Sequence, residues 1–152
     1  MTTILEKLSV DFPSLQFIPG NSFFWSSKKN QIQYSPKLLN QNEGVWSILH
    51  ELGHALCDHH DYSSDIELLI LEREAWVKAR ELAQVYDVVI DENHIEDCMD
   101  TYREWLHQRS RCPRCGAHSL QQDTEMYSCY NCRQRWSVTL SRFCRPYRLK
   151  QN

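Results

Sequence analysis

The residues best equipped for chemistry are His50-Glu51-Leu52-Gly53-His54. Side chains four apart stand above one another on one face of an α-helix, so both imidazoles can reach a single metal ion. Zn²⁺ takes nitrogen ligands at roughly 2.0–2.1 Å. Glu51 lies beside them in the chain without being a ligand, which is the place for a general base in metal-assisted hydrolysis. Two imidazoles leave such a metal incomplete. A third protein ligand must come from elsewhere, and a hydrolytic site keeps its fourth position open for water.

A second constellation follows. Cys112-Pro113-Arg114-Cys115 and Cys129-Tyr130-Asn131-Cys132 are two C-x2-C pairs separated by thirteen residues. Each pair can form a knuckle that presents two thiolates, and two knuckles complete a tetrahedral Cys₄ site. Four thiolates leave no open position, so this second Zn²⁺ is expected to be structural, within a zinc ribbon of short strands. Cys57, Cys98 and Cys144 have no such spacing.

These residues need elements to hold them. Residues 2–10 read as a short helix with Ile4, Leu5 and Leu8 on its apolar side, ended by Pro13. Residues 15–18, 22–26 and 31–34 read as three strands of a small antiparallel sheet. Such a sheet could receive a substrate chain by strand addition. Residues 43–58 form the helix that carries the paired histidines. His59 and His60 follow it in a polar loop, either as spare ligands or donors or as histidines favoured by a helix C-terminus. Ser64-Asp65-Ile66-Glu67 fits a capping box that starts a helix running to about Tyr86. Another helix spans about 91–108, with His94 at its start and Ile95, Cys98, Met99, Tyr102, Trp105 and Leu106 as its stripe.

The helix after Ser64 is expected to supply the third ligand, and Glu72 and Glu74 compete for the role. They lie about 200° apart around a helix, so only one can face the metal. Leu68, Leu69, Glu72, Ala75, Trp76, Ala79 and Ala83 fall on one face, whereas Glu74 groups with Glu67, Lys78 and Glu81. A carboxylate on an apolar face is costly unless it is paired or metal-bound. This selects Glu72 as ligand over Glu74; the competing explanation is a buried ion pair with Arg73 or Arg80.

The 152 residues suit one domain or a small domain with a module, and the net charge of −3 is unevenly spread. Residues 1–100 hold 7 Lys/Arg against 17 Asp/Glu, a balance of −10, and residues 101–152 hold 10 against 3, a balance of +7. The expected organisation is α+β: a metal-binding domain over 1–109, a Cys₄ ribbon over 110–138 and a basic tail over 139–152. The tail interleaves Arg142, Arg145, Arg148 and Lys150 with Phe143 and Tyr147, a composition able to grip nucleic acid. The N-terminus lacks a basic region followed by an apolar run, and no stretch has the length of a membrane span, so a cytoplasmic protein is expected.

His50-Glu51-Leu52-Gly53-His54-Ala55-Leu56, with Glu72-x-x-Ala75-Trp76-x-x-Ala79, resembles the ImmA/IrrE family of zinc metallopeptidases over roughly residues 20–85. The family pattern is H-E-L-G-H followed by E-x-x-A-N-x-F-A. Trp76 stands where the family often has Asn, Lys78 where it often has Phe, and a Cys₄ ribbon is not part of the family's minimal core. The resemblance implies a minimal zincin-like fold and a zinc endopeptidase of bacterial or mobile-element origin. His50, His54 and Glu72 would be its ligands and Glu51 its base. Its relatives cut helix-turn-helix repressors, which implies a protein substrate such as a DNA-bound repressor. The oxyanion donor is open among Tyr34, Tyr62, His59 and His94. SprT-like proteases also join H-E-x-x-H to a zinc ribbon, but they use a third His, and this chain has none between His60 and His94. The rival class is a zinc-containing module that binds nucleic acid or protein without proteolysis.

Overall fold

The computed structural model describes residues 3–139. The basic tail beyond Thr139, with Cys144, lies outside the described residues, as do Met1 and Thr2. The described residues form a mixed α+β fold with four helices and two three-stranded sheets. Its described residues form two compact units, 3–60 with 71–92 and 61–70 with 93–139. All but the first residue of the helix preceding the cysteines falls in the second of these units.

In the first unit, α1 (Ile4–Asp11) opens on a reciprocal capping box in which Thr3 and Glu6 each accept the other's backbone N–H. Strands β1 (Gln16–Pro19), β2 (Phe24–Ser26) and β3 (Gln31–Tyr34) follow. The strands fall close to their expected positions, but the sheet is not purely antiparallel. Its order is β1-β3-β2, with β1 parallel to β3 and β2 antiparallel to it. The alternating strand β3, with Ile32 fully buried, takes the centre. The tight turn at residues 27–30 pairs β2 with β3 as a hairpin, with Asn30 at φ 51°. β1 is thereby left to join the far side in the same direction as β3.

Helix α2 (Asn42–Leu56) buries Trp46, Ile48, Leu49, His50, Leu52 and Gly53. Helix α3 (Asp65–Val85) is shared, its first six residues falling in the second unit and the rest in the first. Its buried positions are Asp65, Leu68, Glu72, Ala75, Trp76, Ala79, Leu82 and Ala83, which is the expected face except that Leu69 is half-buried and Leu82 joins it. The capping box at its start is half formed. Ser64 Oγ accepts the Glu67 N–H (3.3 Å), but the Glu67 carboxylate turns back to the N–H and hydroxyl of Ser63 (2.7 and 2.6 Å).

The second unit holds α4 (Glu92–Ser110) and an antiparallel sheet of β4 (Leu120–Gln121), β5 (Met126–Ser128) and β6 (Arg135–Ser137) in the order β4-β5-β6. Tyr127 of β5 lies opposite Trp136 of β6 and stacks on it, with ring centroids 5.5 Å apart. Leu68, Ile95, Met99 and Trp105 are buried in this unit, and so is one carboxylate. Asp65 is 1% exposed and accepts two hydrogen bonds from the Arg109 guanidinium (2.7 and 3.2 Å) and one from the Tyr127 hydroxyl (2.7 Å). Arg109 also lies 4.4 Å from the ring centre of Trp105. Burial and the neighbouring Asp65 carboxylate push the Tyr127 hydroxyl well above the usual tyrosine range. Among the described residues no helix is long and apolar enough to cross a membrane.

Removing Asp65 strands a buried guanidinium, and breaking such a pair from one side costs about 3–5 kcal/mol. Asp65→Ala is expected to lose stability on that scale in chemical denaturation. A loss below ~1 kcal/mol would mean that Arg109 and Tyr127 find water instead.

Candidate metal centres

The first centre is built where α2 and α3 meet. Gly53 sits one turn below His50, and a Cβ built on it would lie 2.4 Å from the carbonyl oxygen of Ala75. Only a glycine lets the two backbones approach this closely. That contact sets Glu72, one turn before Ala75 on α3, against both imidazoles. His50 Nε2 lies 3.0 Å from Glu72 Oε2, His54 Nε2 lies 3.3 Å from Glu72 Oε1, and the two Nε2 atoms are 3.1 Å apart. Ligands at roughly 2.0–2.1 Å from a tetrahedral metal are separated by about 3.3–3.4 Å. One ligand atom from each of the three residues lies within 4.8 Å of the others, so the cluster can share one metal ion. His50 and Glu72 are buried and His54 is half-buried.

The electrostatics of these groups are strongly coupled. Burial alone would raise the Glu72 carboxyl, but hydrogen bonds and charge from His50 and His54 outweigh it and hold the group well below the usual carboxylate range. Burial opposes a charge on His54, yet its hydrogen bond to Glu72 and the charges of Glu72 and Glu51 win, so its pKa is raised.

Glu51 points to the sheet. Its Oε2 accepts the backbone N–H of Trp25 on β2 (2.8 Å), and the Trp25 indole donates to the carbonyl of His59 (3.0 Å). One residue of an edge strand thus anchors both Glu51 and the segment after α2. On the other side the His50 ring packs on Trp76 at 4.2 Å between centroids, while His50 Nδ1 is buried without a hydrogen-bond partner among the described residues. His50 is therefore oriented by packing.

Glu74 does not join the cluster. Its carboxylate lies 3.0 Å from His59 Nε2, and His59 Nδ1 lies 2.8 Å from His54 Nδ1. His59 is 6% exposed, and burial lowers its pKa by more than Glu74 raises it. The sequence pattern offers His59 as a spare ligand, a donor or a histidine favoured by the helix end, and does not show its meeting with His54. The missing signal was a helix ending at Leu56 with a left-handed residue, Asp58, two positions later. Of the other candidate donors, Tyr34 closes β3, and Tyr62 and His94 belong to the second unit. Arg80, once a candidate partner for Glu72, pairs with Glu92 instead.

The second centre is the cysteine cluster. Cys112 and Cys132 have Sγ atoms 3.6 Å apart, Cys115 and Cys129 3.5 Å, and all four sulfurs lie within 4.8 Å of one another. Sulfurs at roughly 2.3 Å from a tetrahedral metal are about 3.8 Å apart, whereas a disulfide would bring them to about 2.05 Å. The cluster can hold a metal ion. Its knuckles share one backbone pattern. Gly116 N–H donates to Cys112 O (2.9 Å) and Arg133 N–H to Cys129 O (3.0 Å), and both donors are left-handed, at φ 77° and 61°. The Cys129 sulfur also accepts the N–H groups of Asn131 and Cys132, both at 3.4 Å. The Cys132 N–H is the main cause that brings the Cys129 thiol down to about 6.

Comparison with known protein families, curated proteins and solved structures finds no match for this chain. The chemistry therefore has to be argued from the two centres themselves.

Gly53→Ala tests the helix contact. Alanine would normally favour a helix interior by roughly 0.5–1 kcal/mol. Here its methyl meets a backbone carbonyl that cannot rotate away, and overpacking costs about 1–3 kcal/mol. The expected result is net destabilisation with weaker metal binding at His50, His54 and Glu72. A more stable Gly53→Ala variant with unchanged binding would show that the helices can separate freely.

Proposed function

We propose that the chain is a zinc-dependent endopeptidase with one catalytic and one structural zinc. The observation that carries this reading is the convergence of His50, His54 and Glu72, with Glu51 following His50 in the chain and held by an edge strand. A purely structural metal needs no adjacent carboxylate outside its ligand set.

The donor set of two imidazoles and a carboxylate fits zinc and leaves room for a fourth group. Zinc held there would supply Lewis acidity, lowering the pKa of water and polarising a scissile carbonyl. The chain's own residues do the rest. Glu51 takes the proton of the attacking water and passes it to the departing amine. The Trp25 N–H keeps the Glu51 carboxylate from swinging away, which limits the positions between which the proton travels. β2 is an edge strand, the position at which an extended peptide adds by backbone hydrogen bonding. On this reading the first unit is a minimal zincin-like core of the ImmA/IrrE kind, acting on a repressor-like protein substrate in the cytoplasm. The Cys₄ segment reads as a zinc ribbon whose thiolates close the metal off and leave it structural.

The balance of +7 over residues 101–152 favours a second reading, a binding module for nucleic acid. Steeply salt-dependent binding of a DNA duplex, with no proteolysis by the zinc-loaded chain, is its signature.

Glu51→Gln separates base from ligands. Zinc-loaded wild type is expected to cut a proteome-derived peptide mixture, read by mass spectrometry of new termini. Glu51→Gln is expected to keep its zinc and lose activity by about 10²–10⁴-fold, the share carried by a positioned acid–base group. Undiminished cutting by that variant would overturn the mechanism.

A further inference from the structure

His54, His59 and Glu74 form a chain of hydrogen-bonding groups that the hydrolytic mechanism does not use. Its geometry begins with the end of α2. Asp58 takes the left-handed conformation at φ 54°. Asp58 N–H donates to Ala55 O (3.1 Å) and His59 N–H to His54 O (3.0 Å), the two bonds of a Schellman motif. This reversal lays His59 back over His54, so two side chains five apart in sequence meet ring to ring at 5.0 Å between centroids. The Trp25 indole pins the His59 carbonyl in the same place. Three independent backbone contacts therefore hold the His59 ring against the far side of His54.

The order of donors along the chain is then fixed by what each group can do. An ionised carboxylate only accepts, so Glu74 requires His59 to carry its proton on Nε2. The neutral His59 ring then presents a bare Nδ1, which accepts from His54 Nδ1–H. With its Nδ1–H engaged in this way, the nitrogen His54 has left for a metal is Nε2, the one that faces Glu72 and His50. With both rings neutral and Glu74 ionised, any other order places two hydrogens, or two lone pairs, against each other at 2.8 Å or 3.0 Å.

We propose that Glu74 and His59 are positioning residues that set the tautomer of His54, so that its Nε2 is presented bare to the metal. The proposal rests on the zinc reading of the His50–His54–Glu72 site. Metal-ligating histidines usually give their second N–H directly to a carboxylate or carbonyl. Here a second imidazole stands between, which lets Glu74, on the more exposed side of α3, act on a ligand it does not touch. Glu74 thereby has a role distinct from that of Glu72, two residues away on the same helix. The two ligand histidines are also held differently, His54 by this chain and His50 by packing on Trp76.

The test uses the full chain and zinc alone. Zinc affinity is measured by chelator competition in wild type, Glu74→Ala, His59→Phe and Glu81→Ala, with His50→Ala/His54→Ala giving the contribution of the Cys₄ cluster. Glu74→Ala and His59→Phe are expected to weaken the non-Cys₄ zinc by about 10–100-fold. Glu81→Ala removes the same charge from the same helix outside the chain and is expected to leave it unchanged. Long-range ¹H–¹⁵N spectra of zinc-loaded wild type are expected to show protonated Nδ1 on His54 and protonated Nε2 on His59, a signature that a merely structural role does not set. A proton on His59 Nδ1, or full zinc affinity in Glu74→Ala, would overturn the proposal while leaving the zinc site standing. Identical zinc binding by wild type and His50→Ala/His54→Ala would overturn the site and the chain together.

Discussion

The contact between Gly53 and Ala75 is the constraint on which the first centre depends. A helix pair normally packs at 8–10 Å between axes, with side chains filling the space. Removing the Cβ at Gly53 allows the Ala75 carbonyl to come within reach of that position. The glycine lies in the turn between the two histidines of α2, and Ala75 lies one turn after Glu72. Two short spacings on two helices are thus brought into register by one missing methyl group. Trp76 and Ala79 continue the same buried face, and the sheet contributes through Trp25, which reaches both Glu51 and the His59 carbonyl.

What could be read in the sequence were features whose periodicity is local. The spacing of His50 and His54 and the apolar face of α3 are properties of a single helix, and they were enough to set Glu72 apart from Glu74. The two C-x2-C pairs are local in the same sense. Pairing between distant segments was not legible in this way. The parallel match of β1 to β3 depends on which strand takes the centre of the sheet, and no alternation pattern states that. His59 was hidden for a different reason. Its meeting with His54 needs a left-handed residue at position 58, and Asp marks such a position far less clearly than Gly. Asp65 was legible only as part of a helix start. Its buried partners, Arg109 and Tyr127, are 44 and 62 residues away.

The second unit solves a different problem. It combines buried apolar residues, Leu68, Ile95, Met99 and Trp105, with cross-links between polar groups. Asp65 gathers Arg109 and Tyr127, while the Trp136 indole donates to the Arg109 carbonyl (2.9 Å). The knuckles repeat one backbone design with unequal residues at the left-handed position, Gly116 in one and Arg133 in the other. A residue with a Cβ there costs roughly 1–2 kcal/mol relative to its preferred conformation. That strain is tolerable where a bound metal contributes the much larger stabilisation of a closed Cys₄ site.

The central claim is that the chain carries two separate metal centres, one of them open for chemistry. Elemental analysis of the purified full chain addresses it most directly. Two zincs per chain are predicted for wild type and one for His50→Ala/His54→Ala, with the remaining zinc held by the four cysteines. A single zinc in both proteins would contradict the account and leave only the Cys₄ cluster metallated.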